Sequence, residues 1–131
     1  MERTAVNPWT WSVAFGFNQA ELVEGAGKVL FCSGQTSVDA DGGPQHPGDM
    51  AAQITLAVDN LEAVLAEADM TLANVVRLNF YTTDVDEFLA NSGVLGARTG
   101  AAGVAPAGTL LGVARLAFPE LMIELEATAV A

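Results

Sequence analysis

The chain has 131 residues, of which 51% are hydrophobic and 16% charged, and sixteen acids against five bases give a formal charge of −11. Arg3, Lys28, Arg77, Arg98 and Arg115 are scattered singly, too few and too dispersed to displace counterions from nucleic acid or to hold an anionic membrane surface, so both partners are excluded. A charge fraction this far below the roughly 25–35% of a soluble surface predicts that other copies of the chain cover part of it.

One domain over residues 1–131 is expected, since a chain of this length buries roughly two-thirds of its unfolded surface. Cys32 is the only cysteine and His46 the only histidine, so no intrachain disulfide and no Cys/His metal cluster are expected. No apolar run reaches the ~20 residues of a spanning helix, and Met1 to Pro8 lacks an apolar signal core; a cytoplasmic protein is the expectation.

Residues 1–9 carry no period, and Asn7-Pro8 favours a turn or an extended entry. Trp9 and Trp11 read as packing anchors, in the core or against another subunit. Val13, Phe15 and Phe17 at spacing two predict extended chain over Trp11 to Glu24. After the break at Gly25-Ala26-Gly27, the β-forming run Lys28 to Gln35 predicts a hairpin with that strand. Within the run Cys32 reads as a small buried hydrophobe. Asp39 to Pro47 is a loop holding His46, expected to face solvent or to donate a local hydrogen bond.

Asp49 caps a predicted helix from Met50 to Asp69, whose apolar stripe is Ala51, Ile54, Ala57, Val58, Leu61, Val64 and Leu65, with Asp59, Glu62 and Glu67 on a solvated face. The next strand, Val75 to Thr82, alternates Val76, Leu78 and Phe80 against Arg77, Asn79 and Tyr81. Asp84 with Glu87 three residues on predicts the start of a second helix, Val85 to Arg98, which puts Asn91 and Arg98 nearly on one face. A Gly-rich link over 99–104 leads to two closing strands, one in Pro106 to Leu116 and one in Leu121 to Ala127. The order predicts an α+β fold, a mixed β-sheet with two helices packed on one face, the other face covered by subunit association.

Taken together, several segments resemble the RidA family of reactive-intermediate deaminases, also called YjgF or L-PSP proteins. They are Phe17-Asn18-Gln19-Ala20, Leu30 to Gln35, Asp59 to Leu65, Asn74 to Arg77, Pro106-Ala107, Val113 to Leu116 and Ile123 to Ala127. The resemblance implies a chorismate-mutase-like fold and a homotrimer with clefts between adjacent subunits. It also implies hydrolysis of enamines and imines to carbonyl compounds and ammonia without metal or cofactor. By the same resemblance Glu124 positions water or shuttles a proton, Asn91 or its neighbour Ser92 is the polar group of the second helix, and Gly34 and Leu110 are cleft walls. Thr109 offers a hydroxyl.

The chain departs from the family's pattern at two places. Gly108 stands where an arginine directly after Pro-Ala clamps the substrate carboxylate in two-point fashion, and Phe17 stands where a tyrosine is usual. Arg115 is out of phase with Gly108 along a strand, whereas Arg98 is about 10 Å along its helix from Asn91 and could reach the cleft. The resemblance therefore implies a C=N hydrolase for a substrate that lacks the usual carboxylate, with weak turnover of 2-aminoacrylate that Gly108→Arg would raise. The alternative is a trimeric module that binds a small metabolite without chemistry. Ribonuclease activity, which an old family label suggests, is opposed by the charge.

Overall fold

The computed structural model describes residues 1–131. Its main sheet is organised around the last strand, β7 (Ile123–Val130). β7 runs antiparallel to β3 (Val29–Phe31), β4 (Gln35–Thr36) and β5 (Val75–Thr82), and β5 carries the short parallel strand β6 (Leu110–Gly112) on its far side. Strands β1 (Glu2–Val6) and β2 (Ala20–Glu24) form a separate antiparallel pair. Three helices complete the fold: α1 (Met50–Glu67), α2 (Val85–Asn91) and α3 (Gly93–Ala101).

The alternation of β7 decides which face of the sheet does what. Ile123, Leu125, Ala127 and Ala129 are buried, and they pack with Ile54, Ala57, Val58, Leu61 and Leu65 of α1 in one apolar cluster. Glu124, Glu126 and Thr128 project from the opposite face, which the helices leave open. Helix α1 starts where the Asp49 carboxylate accepts from the Ala52 N–H at 3.0 Å. It stops at Glu67 because Asp69 takes a left-handed conformation, φ 56°. No helix is long and apolar enough to cross a membrane.

The amino-terminal region departs from its sequence pattern. Trp11–Phe15 is a turn of 3₁₀ helix rather than extended chain, closed by Gly16 at φ 83°. Residues 2–6, without visible period, are a strand paired with Ala20–Glu24, and Val29–Phe31 pairs with Val130 to Thr128 instead of forming the expected hairpin. Pairing partners far along the chain, not local periodicity, set these strands. The second helix is interrupted at Ser92, whose hydroxyl donates to the Leu89 carbonyl at 2.9 Å, and resumes to Ala101, beyond the expected end at Arg98. The first closing strand is confined to Leu110–Gly112, and the second runs on to Val130.

Candidate functional site

On the open face, Tyr81 of β5 lies between Leu111 of β6 and Glu124 of β7 in one row across the sheet. Gly34, just before β4, lies so close to Glu124 that a Cβ there would fall on its carboxylate. The absence of a side chain at position 34 thus makes room for the Glu124 carboxyl group. Around it is a concavity of about 260 Å³ lined by Gly34, Tyr81, Val113, Arg115, Leu116, Glu124 and Glu126.

The two glutamates of this concavity are driven apart in acidity. Desolvation, and then the charge of Glu126, push the Glu124 carboxyl above the usual carboxylate range. Glu126 is held lower because its Oε1 accepts from Asn79 Nδ2 at 3.1 Å and from Tyr81 Oη at 2.9 Å. The Tyr81 phenol is in turn pushed up, chiefly by that hydrogen bond. Asn79 Oδ1 also accepts from the Thr109 N–H at 3.1 Å, which ties the segment before β6 to the same network. Two neighbouring carboxyls with acidities shifted in opposite senses are an arrangement suited to giving one the part of proton donor and the other that of fixed charge.

The helix side of the sheet carries a second cavity, of about 300 Å³. Phe15, Phe17, Phe80, Phe88 and Leu110 make it apolar, and Ser92 and Thr99 contribute hydroxyls. Phe80 and Phe88 hold its floor, with ring centroids 5.6 Å apart. Leu110, Phe80 and Leu125 share one row of the sheet, so this cavity and the Glu124 concavity lie on opposite faces.

The chain matches the family described as Endoribonuclease L-PSP over residues 12–131. It is 34% identical over 90 residues to the mitochondrial protein mmf2 of Schizosaccharomyces pombe, covering 69% of this chain and 68% of that one. A crystal structure of a Rid-family protein of unknown function from Yersinia pestis superposes with a TM-score of 0.87 at 37% identity, covering all of both chains. The chain belongs to the Rid/YjgF family. Another relative, a 2-iminobutanoate/2-iminopropanoate deaminase of Rattus norvegicus, is 31% identical over 72 residues, 55% of this chain and 50% of that one.

Against the Rid pattern, the structure brings the expected residues together in two sets. Gly34 and Glu124 share the open-face concavity, and Phe17 and Leu110 share the apolar cavity. Of the two candidates on the second helix, Ser92 lines that cavity, whereas the Asn91 amide is turned back to donate to the Glu87 carbonyl at 2.9 Å. Arg98 lines neither, because its guanidinium pairs with Asp59 at 2.9 Å and Glu62 at 2.7 Å on α1. Those two acids are therefore pairing partners and not simply a solvated face.

Gly108 faces the helix side, where a Cβ would collide with the Leu78 carbonyl oxygen and stand 3.6 Å from the Phe80 ring. Position 108 is a close backbone approach, with no space held open for a side chain. Tyr81, given no part from the sequence, lines the Glu124 concavity, and so does Arg115, discounted from the sequence as out of phase with Gly108. Strand alternation could have found Tyr81, which shares a row with Leu111 and Glu124.

Proposed function

We propose that this protein is a cofactor-free hydrolase of small imines or enamines, adding water across C=N and releasing a carbonyl compound and ammonia. The observation that carries the reading is the Glu124 carboxyl group, held against Gly34 in a concavity where burial and Glu126 favour its protonated form. In its acid form Glu124 donates to the imine nitrogen, and the resulting carboxylate takes a proton from water as the water oxygen adds to the carbon. Glu124 then protonates the carbinolamine nitrogen and takes the hydroxyl proton as the C–N bond breaks, which leaves the carbonyl compound, ammonia and Glu124 in its starting form. The similarity to the rat 2-iminobutanoate/2-iminopropanoate deaminase supports the same reaction class.

Because the Glu124 concavity and the Phe17–Leu110 cavity lie on opposite faces, one chain cannot put both against one substrate. A homotrimer in which one copy's Glu124 face meets a neighbour's apolar cavity would join them. Gly108 leaves its position without the arginine of the family pattern. We therefore expect poor turnover of 2-aminoacrylate, which has no bulk for the apolar half. The phenylalanine-rich cavity favours the alternative in which the trimer holds an apolar metabolite without chemistry. Ribonuclease action is disfavoured by the −11 charge and the scattered cations.

Hydrolysis of imines generated in situ from a panel of amino acids and carboxylate-free amines tests the reading, with wild type beside Glu124→Gln. Loss of a general acid lowers turnover by about a hundredfold or more. The variant should unfold at higher urea than wild type at pH 8. In the folded state the Glu124 carboxyl titrates above its unfolded range, so ionising it costs stability as pH rises, and the gap closes in acid. Equal turnover by the variant removes Glu124 from the mechanism, and an inert wild type across the panel leaves the binding module.

A further inference from the structure

We propose that Arg115 is the anion-binding residue of the Glu124 concavity, and that the ligand held there is a small molecule carrying one carboxylate. The placement is the first ground. Arg115 lines the same concavity as Glu124, Gly34 and Tyr81, on the face of the sheet opposite to Gly108. A clamp at position 108 would point toward the helices, where the Leu78 carbonyl leaves it no room.

The second ground is that Arg115 is uncommitted. Arg3 donates to the carbonyls of Ala73 and Val75 and reaches Glu21, and Arg98 is paired with Asp59 and Glu62. Arg115 makes neither a hydrogen bond nor an ion pair, although two carboxylates line its own concavity. Glu126 is occupied by Asn79 and Tyr81, and Glu124 is seated at Gly34. A guanidinium left with all its donors free in the same concavity as Glu124 is suited to an incoming carboxylate, which it can meet at two points.

Third, Arg115 offsets charge where an anion would need it. It is the one cation among the lining residues and stands with Glu124 and Glu126, so it weakens locally the negative field that a chain at −11 presents to an anion. The segment bearing Arg115 starts from a fixed point, the Val113 N–H donating to the Thr82 carbonyl at 2.8 Å.

This inference builds on the proposed site but not on its chemistry, so binding is read separately from turnover. Wild type, Arg115→Gln, Arg115→Lys and Arg77→Gln are titrated with 2-oxobutanoate and with its neutral amide, following chemical-shift changes. Arg77 lies on the same face outside the concavity and controls for the loss of one positive charge. Wild type should bind the acid in preference to the amide. Arg115→Gln should weaken acid binding by about tenfold or more, the cost of a lost charge-assisted contact, with partial recovery in Arg115→Lys and little change in Arg77→Gln. Equal binding of acid by wild type and Arg115→Gln, no preference for acid over amide, or no acid binding by wild type overturns the proposal. Arg115-dependent binding in a protein inert toward every imine would sink the hydrolase reading and leave this one standing.

Discussion

Gly108 is the residue at which sequence and structure say different things about one substitution. In the sequence it is a lost arginine, and Gly108→Arg would be the repair. In the structure the space beside its Cα is taken by the Leu78 carbonyl, a backbone atom fixed in β5. Gly108→Ala should therefore lower stability by about 1–3 kcal/mol, the usual range for forcing an atom into a packed site. Urea unfolding checks this, and an alanine variant as stable as wild type would show that the 107–109 backbone yields freely. Gly108→Arg meets the same obstacle, so it loses stability before it can place a guanidinium. The expectation of an arginine comes from the preceding Pro106-Ala107 and the resemblance. The close approach of position 108 to Leu78 was not legible, because the contact crosses thirty positions of chain to another strand. Glu124 and Gly34 show the same division: their alternation and motif were readable, whereas their contact with each other was not.

Elements with local causes were read with small errors, and elements with distant causes were missed. Asp49 and Asp84 cap α1 and α2 as their positions suggest, since each carboxylate accepts from the N–H three residues on. Strand β1 was invisible because its order comes from pairing with β2. Gln53 is the instructive failure within a well-read helix. A polar residue was left off the buried stripe of α1, yet Gln53 is fully buried. Its Nε2 donates to the carbonyls of His46 at 3.0 Å and Glu120 at 2.8 Å, and its Oε1 accepts from the Met122 N–H at 2.8 Å. This one side chain thus ties α1 to the entry of β7, two residues before Glu124. Gln53→Leu keeps the volume but leaves three part-buried backbone groups without their partner, and should destabilise the fold by about 1–3 kcal/mol. Chemical denaturation measures that loss, and a change under about 1 kcal/mol would mean that water replaces the amide at this joint.

At the scale of the whole molecule the open sheet face remains unaccounted for by one chain. Phe31 is 80% exposed on β3, in the row that contains Thr128 of β7, and Val29 and Leu111 are about half exposed. On the other side, Phe15 is 77% exposed at the rim of the apolar cavity. Two apolar surfaces on opposite faces, in a chain with only 16% charged residues, are what a heterologous ring of copies would cover. Wild type should then sediment at about three times the 13.5 kDa chain mass. Phe31→Asp puts a charge into the covered face and adds to a chain already at −11, so each copy would bring one more buried, repelling carboxylate to the contact. The expected result is a monomer with an unchanged far-ultraviolet spectrum, because Phe31 lies outside the apolar core, and with C=N hydrolysis lost along with the trimer. A Phe31→Asp protein that stays trimeric and active would place the contact elsewhere on the sheet. A monomeric wild type that still turns over imines would confine the chemistry to the Glu124 concavity of one chain, leaving Phe17, Ser92 and Leu110 without a part in it.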